Sequence, residues 1–461
     1  MFEIDLLLKS VKRIHFIGIG GSGMCPLAEI LHKEGYILSG SDNNETDTLA
    51  RIRSLGIPVA MGQRAENIEG AEMIVYTAAL LPDNPELVAA KASGIPTFER
   101  SKLLGAVTRI YPNSICISGT HGKTTSCSML TQVLIEADFD PTAVIGGKLP
   151  LTGSNGMVGH SEHMVCEACE FVDTFLDLSP DVAVILNVDE DHLDYFKTFE
   201  NLKKSFTKFA SMATKTVIYN ADDENTVDTV KPLFDSDKSF ITFGLNEGCD
   251  YRAVNITVEN EYASYDLEVK GENLGRVKLS VPGIHHVHNS LAVIASAMYS
   301  GVSFEQCVKG IADFNGAGRR FEVLDKIDGI TVADDYAHHP KELEVTLNTA
   351  MNMGFNRVWA IFQPFTYSRT SILFDEFVRV LKISDKCIMT EIMGSREVNT
   401  YNIYTSQLAE QIPGSVWFNT FEEVADYAVK NAESGDLLIT LGCGDIYKAA
   451  KLIINKLKER Q

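Results

Sequence analysis

The chain has 461 residues, 45% hydrophobic and 22% charged, with a formal net charge of −21. That length exceeds what one hydrophobic core organises, so roughly two to four domains are expected, with three the middle value, and the acidity repels a polyphosphate strand and excludes non-specific nucleic-acid binding. Nine cysteines, an odd number, and the lack of any run of about 18 apolar residues exclude a disulfide framework and a membrane span, so a cytoplasmic protein is expected.

Met1 to Arg13 lacks the long apolar run of a signal peptide and reads as a short first helix. From Arg13 to Gly23 an apolar, β-branched run enters a glycine-rich turn that opens a helix. Gly18, Gly20 and Gly23 fit G-x-G-x-x-G, and Asp42 ends the next strand. Glycines let the backbone approach a diphosphate, and the helix N-terminus supplies unpaired N–H groups. The pattern does not choose between NAD and a UDP-sugar, and a tight turn without a ligand is the plainer alternative. Met73–Ala79 predicts a further strand, and a domain boundary is expected near residue 107.

Asn113–Thr125 repeats the unit. The strand Ser114–Ser118 runs into G-T-H-G-K-T-T, Gly119–Thr125. The general phosphate loop is G-x-x-x-x-G-K-[ST], but Ile117 stands where its first glycine belongs. The loop amides are expected to cradle phosphates, Lys123 to reach the β- and γ-phosphates, and the Thr124 hydroxyl to sit on Mg²⁺.

Glu167 follows the apolar Met164 and Val165, at the end of a strand facing a ligand crevice. Asn187–Asp194, N-V-D-E-D-H-L-D, follows the strand Val182–Val188 and sets His192 among carboxylates. Either stretch alone reads as a solvated acidic loop; two of them after a phosphate loop point to metal and catalysis. Cys166 and Cys169 lack the second pair of a zinc ribbon and read as small buried side chains. Residues 238–282 predict short antiparallel strands, a β-rich part inserted in or attached to the central domain. His285, His286 and His288 at a helix start face different directions, which favours base contact or exposure over a metal. A second boundary is expected at Gly316–Gly318, and Arg357–Gln363 and Asp436–Gly444 predict strands beyond it. The expected organisation is therefore α/β with parallel sheets over 1–107, 108–317 and 318–461.

The segments HFIGIGGSGM, GTHGKTT, EACE, NVDEDHLD, GIHHVHNSLA, GRRFE and DDYAHHPKE together resemble the Mur ligase family, in its order, from about residue 14 to 447. The compressed phosphate loop is the family's form. The resemblance implies an N-terminal Rossmann-like domain binding UDP, a central P-loop ATPase-like domain with an added β-rich part, and a C-terminal Rossmann-like domain that closes over ATP and binds the amino acid. It implies an ATP-dependent amide ligase of peptidoglycan synthesis, with ATP and Mg²⁺ as cofactors. The branch it points to phosphorylates the lactyl carboxylate of UDP-N-acetylmuramate and couples the acyl phosphate to L-alanine, as a monomer or weak homodimer.

Residue roles follow from the same resemblance. Gly18, Gly20, Gly21, Gly23 and Asp42 fall beside UDP. Gly119, Thr120, His121, Gly122, Lys123, Thr124 and Thr125 surround ATP, Asn289 lies at its adenine, and Thr124, Glu167 and His192 fall at the metals. Arg319 and Arg320 bring charge to the transferring phosphoryl group. Asp334, Asp335, Tyr336, His338 and His339 form the motif that closes over ATP and substrate, Asp335 on the ATP side and Tyr336 and His338 on the substrate side. Arg369 falls at the substrate carboxylate. The catalytic set is Lys123, Glu167, His192, Arg320 and His338. His286, where relatives commonly have Asn, Phe365, where many have His, and EACE, where many have E-A-D-E, depart from the pattern. Plainer readings are a helix N-terminal pair for His338–His339 beside Pro340, surface charge for Arg319–Arg320, and packing for Phe362, Phe365 and Tyr367. The functional alternatives are a ligase that recycles a whole peptide onto the same UDP-sugar, an NAD-dependent oxidoreductase with an accessory nucleotide domain, and a nucleotide binder without turnover.

Overall fold

The computed structural model describes residues 3–149, 151–395 and 397–460. A short helix α1 (Glu3–Leu8) precedes a sheet of β1 (Arg13–Ile17), β2 (Ile37–Asp42), β3 (Val59–Met61), β4 (Met73–Tyr76) and β5 (Thr97–Glu99), in the order β3-β2-β1-β4-β5. Every pairing is parallel. Ile14 to Ile17 are buried without alternation, as a strand covered on both faces requires. The glycine turn leads from β1 into α2 (Cys25–Lys33), whose Pro26 sits in the first turn where no intrahelical N–H is needed.

The second sheet contains β6 (Asn113–Ser118), β7 (Thr142–Leu149), β8 (Ser154–Met157), β9 (His163–Glu167), β10 (Val182–Ile185), β11 (Thr216–Asn220), β12 (Ser239–Gly244), β13 (Tyr251–Glu259), β14 (Tyr262–Val269) and β15 (Glu272–Pro282). Its order is β15-β14-β13-β12-β11-β10-β6-β9-β7-β8. The phosphate-loop strand β6 thus lies between β9 and β10, parallel to both. The loops leaving these three strands share one crest, which is where such sheets bind ligands. α3 (Lys123–Glu136) follows the loop, and α4 (His286–Tyr299) packs beside it.

The antiparallel expectation for residues 238–282 needs correction at its start. β12 runs parallel to β11 and to β13 and extends the central sheet. Ser239–Gly244 is reached from β11 through the helix Glu224–Val230, and a crossover of that kind delivers a parallel strand.

The third sheet has β16 (Glu322–Ile327), β17 (Ile330–Asp335), β18 (Val358–Phe362), β19 (Lys386–Thr390), β20 (Val416–Phe418) and β21 (Leu437–Leu441), in the order β16-β17-β21-β18-β19-β20. Only the edge pair β16–β17 is antiparallel among its pairings. Between β17 and β18 lies α5 (Pro340–Asn352), and after β18 the short α6 (Tyr367–Ile372). The chain divides into two compact units: one holds the first sheet and most of the second and ends at Ala317, and Gly318–Gln461, with residues 258–263 and 281–284 from β13, β14 and β15, makes the other. All nine cysteines are free thiols, and Cys116 and Cys166 are direct neighbours across β6 and β9. No helix of the described residues is long and apolar enough to cross a membrane.

Candidate active site

The loop Gly119–Gly122 is shaped by backbone that glycine alone adopts easily. Gly119 has φ +144° and Gly122 φ +86°. Asn187, just beyond β10, holds the loop from the next strand. Its Oδ1 accepts from His121 N at 2.8 Å, its Nδ2 donates to His121 O at 3.0 Å, and its backbone carbonyl accepts from Thr120 N at 3.1 Å. Thr120 Oγ1 bonds Asp189 in both directions, donating to its carbonyl at 3.2 Å and accepting its N–H at 2.9 Å. α3 then begins at Lys123 with no side-chain cap, so its first-turn N–H groups are left for an anion.

Lys123 folds back over this loop. Its ammonium donates to Gly119 O (2.5 Å), Thr120 O (3.1 Å) and Glu170 Oε1 (3.0 Å). Burial pulls the Lys123 pKa down, but the Glu170 carboxylate outweighs it and holds the group above its ordinary range. Sequence reasoning missed Glu170, the second acid of EACE, three residues beyond Glu167 at the end of β9.

Thr124 Oγ1 donates to Glu167 Oε1 at 3.0 Å, and Glu167 Oε2 accepts Gly146 N at 2.7 Å. Two expected metal ligands are thus adjacent. His192 stands differently: it has φ +53°, its Nε2 is 3.7 Å from Asp191 Oδ2, and its ring lies 4.7 Å from that of Phe171. Among the described residues no group of three or more His, Cys, Asp or Glu is poised to hold a metal. The Asp194 side chain, in the same motif, lies outside the described residues.

Beside the loop is a cavity of about 170 Å³, lined by His121, Gly122, Leu186, Phe243, His285, His288 and Asn289. It is smaller than the several hundred Å³ of a site for a whole drug-sized ligand, and its size suits one planar heterocycle. Asn289 Nδ2 donates to His286 Nδ1 at 3.1 Å, so the departure at His286 supplies a partner that orients the amide. Burial drives His286 well below the usual histidine range, which keeps that nitrogen an acceptor. His285 is pulled down to about 4 by desolvation within the cleft and by the charges of His121 and His288.

In the first sheet, Gly18 has φ +82°, and a Cβ there would lie 2.7 Å from Thr77 Cγ2. Gly20 N donates to Asp42 Oδ2 at 2.9 Å, and Asn43 N and Asn44 N donate to Oδ1 at 2.8 and 3.0 Å. Asp42 therefore braces the glycine turn itself. A Cβ on Gly23 would come within 3.0 Å of Arg100 Nη1, and Gly21 closes the turn by accepting from Met24 N and Cys25 N.

The crest of the third sheet gathers the remaining candidates. Arg319 donates from Nε to Asp334 Oδ2 (2.7 Å), from Nη1 to Gly444 O (3.1 Å) and from Nη2 to Gly442 O (2.5 Å). Its guanidinium is committed to the fold, unlike that of Arg320, which lies 4.0 Å from Glu342 and over the Tyr336 ring. Asp335 accepts from Phe321 N and Ala337 N, each at 2.7 Å; burial raises its carboxyl to about 6, against the pull of Arg320.

His338 Nδ1 donates to Tyr336 O at 3.0 Å, which leaves Nε2 as the bare lone pair; burial lowers the pKa, against Glu342. His339 caps α5 by accepting Lys341 N, as the plainer reading held. Arg369, on α6, has a buried Nη1 without a hydrogen-bond partner among the described residues, and so does Gln363 Oε1. Two orphaned polar atoms on one crest mark a place built for a polar ligand.

Three α/β sheets, with an uncapped phosphate loop at the crest of the middle one, define a nucleotide-binding α/β protein. Residues 13–111 match the model of the Mur ligase family catalytic domain, 117–297 that of the Mur ligase middle domain, and 319–444 that of the Mur ligase glutamate ligase domain. The chain belongs to the Mur ligase family. It is 42% identical to the UDP-N-acetylmuramate–L-alanine ligase of Acetivibrio thermocellus over 98% of this chain and 96% of that one. Among solved structures it resembles the UDP-N-acetylmuramate–alanine ligase of Thermotoga maritima, with a TM-score of 0.83 and 26% identity over 97% of this chain and 100% of that one. A murein peptide ligase from Psychrobacter arcticus shares the fold, with a TM-score of 0.76 and 22% identity over 97% of this chain and 99% of that one.

Proposed function

We propose that the chain joins L-alanine to the lactyl carboxylate of UDP-N-acetylmuramate, with ATP converted to ADP and phosphate, in the cytoplasm. The observation that carries this reading is the uncapped start of α3 with Lys123 and the Thr124–Glu167 pair, in a chain 42% identical to an L-alanine ligase over nearly its whole length. A carboxylate is a poor acyl donor because its leaving group is oxide. Transfer of the γ-phosphoryl group to it, with departure of ADP, supplies a better one. The amine nitrogen then attacks the acyl carbon, a proton leaves nitrogen, and the tetrahedral intermediate expels phosphate.

Within that sequence Lys123 exchanges Glu170 for phosphate oxygens and neutralises charge that develops there. The Thr124 hydroxyl and Glu167 carboxylate are hard oxygen donors and fit Mg²⁺, which retains several waters and needs few protein groups. When bound, Mg²⁺ supplies charge neutralisation at the phosphates. Neutral His338, with Nε2 bare, is suited to accept the proton of the incoming amine, and Arg369 Nη1 to hold the amino-acid carboxylate. The first glycine turn is assigned to UDP, and the nine unpaired thiols support a reducing compartment.

The test is phosphate release from ATP and Mg²⁺ with UDP-N-acetylmuramate, with and without L-alanine, repeated with glycine, L-serine and a tripeptide. Release that depends on both UDP-N-acetylmuramate and L-alanine, with an amide product by mass, is the expected result. Preference for the tripeptide would replace it with the recycling reaction.

A further inference from the structure

We propose that Glu170 is a positioning residue that competes with the nucleotide for Lys123, lowering the affinity of the loop for ADP and drawing the lysine back as ADP departs. The proposal rests on the phosphate-loop reading of Gly119–Thr125.

A lysine ammonium has three hydrogens to donate and no lone pair. Here all three are spent, on Gly119 O at 2.5 Å, Thr120 O at 3.1 Å and Glu170 Oε1 at 3.0 Å. A phosphate oxygen is bound only when one of these partners is released. Two are neutral carbonyls and one is an anion. An ammonium that kept Glu170 while binding phosphate would hold two anions side by side in a buried place, where like charges repel strongly. Glu170 is therefore the partner that phosphate replaces.

The carboxylate does not travel with the lysine. Its side chain is 2% exposed. The Glu170 carbonyl accepts from Asp173 N at 2.9 Å, and Val172 and Asp173 both lie in the left-handed region, with φ +54° and +59°. The Asp173 carboxylate is fixed in turn by the hydroxyls of Tyr195, at 2.8 Å, and Ser205. Lys123 is the one hydrogen-bond or ion-pair partner of the Glu170 carboxylate among the described residues; Oε2, 2.8 Å from Nζ, accepts no hydrogen bond there. A nucleotide that takes the lysine strands this buried anion. That cost is subtracted from its affinity, as in any binding that draws on a state the free protein disfavours. The same contact, as it re-forms, favours departure of ADP.

The experiment measures binding of ADP and of AMP, each with Mg²⁺, by calorimetry for wild type, Glu170→Gln and Glu170→Asp, beside thermal melts of each protein. Gln keeps the shape and removes the charge. Asp keeps the charge and withdraws it by one methylene. Glu170→Gln should bind ADP about tenfold more tightly, and Glu170→Asp should fall between it and wild type. AMP lacks the β-phosphate that Lys123 reaches and should bind all three proteins alike. Weaker ADP binding in Glu170→Gln would mean that Glu170 aims the lysine at phosphate, and would overturn the proposal. Equal tightening of ADP and AMP, or a Glu170→Asp protein identical to wild type, would reduce Glu170 to a source of general repulsion and overturn it as well, as would unchanged affinities. If Glu170→Gln does not fold, Glu170→Asp with the two nucleotides carries the same comparison. In ligation, inhibition by ADP should strengthen by the same factor in Glu170→Gln while the KM for L-alanine holds. If wild type binds ADP but ligates nothing, and the variants rank as stated, the reaction assignment fails and the competition stands. If none of the three binds ADP, the phosphate-loop reading fails and the proposal with it.

Discussion

Lys123 Nζ stands 2.8 Å from Glu170 Oε2, and the Glu170 side chain is only 2% exposed. The phosphate loop is therefore held with its own counter-anion inside it. Replacing Lys123 removes two things at once, a phosphate ligand and the partner of a buried carboxylate. Lys123→Ala should abolish ligation and also lower stability by roughly 3 kcal/mol in urea denaturation, since breaking a buried pair strands the remaining charge. Adding Glu170→Gln should return most of that stability and none of the activity. A Lys123→Ala protein as stable as wild type would show that Glu170 does not depend on the lysine.

The arginines of the third sheet should separate in the same way. Arg319 is spent on Asp334, which is 1% exposed, and on two carbonyls. Arg319→Ala should cost roughly 3 kcal/mol. Arg369→Ala removes a guanidinium whose Nη1 has no partner among the described residues, so its cost should stay near about 1 kcal/mol of lost packing. Its KM for L-alanine should rise at least tenfold while the KM for ATP holds. Steady-state kinetics beside thermal melts distinguish the two residues.

Gly122 and Gly35 offer a matched pair, with φ +86° and +88°. A Cβ on Gly35 meets nothing within 4 Å, whereas one on Gly122 would sit 2.6 Å from Asn289 Oδ1. Gly35→Ala should cost about 1–2 kcal/mol of left-handed strain alone. Gly122→Ala should cost more and also weaken ADP binding in calorimetry, because Asn289 must move.

Glu342 links the third sheet to pH. Burial pushes its carboxyl up, but His338, Arg320 and the N–H groups of His338 and His339 outweigh that and bring it down to about 2. A carboxyl lower in the folded than the unfolded state stabilises the fold above its ordinary pKa near 4.5, and that contribution drains away as pH falls from 4.5 toward 2. Its size is on the order of 2–3 kcal/mol. Glu342→Gln should melt below wild type at pH 6, and the gap should narrow at pH 3. A gap that stays constant would mean the ordinary pKa is retained.

Much of the central site was legible because its parts are near in sequence or end successive strands. Lys123 and Thr124 are announced by the glycines before them, and Glu167 by the apolar run it terminates. Glu170 was not legible: an acid three residues past another reads as a solvated loop, and only the fold turns it under Lys123. Asn187 was seen as a member of an acidic motif, while its task of holding His121 depends on β10 lying beside β6. Arg319 and Arg320 are indistinguishable as a dipeptide. The φ of +60° at Arg319 is part of what turns the first into the sheet, and no local pattern encodes that. Ser239–Gly244 is a short apolar run that carries no sign of its direction in the sequence; the helix before it makes the strand parallel.

The cysteines give the molecule a chemical chronometer. Burial lifts Cys25 beside the first sheet, Cys307 in the helix Phe304–Ala312 and Cys387 in the third sheet to about 12. Alkylation requires the thiolate, so each is silenced by roughly a thousandfold, beyond the shielding of burial itself, until its surroundings open. Pulses of iodoacetamide read by peptide mass would then date the opening of each region separately, in the unsubstituted protein.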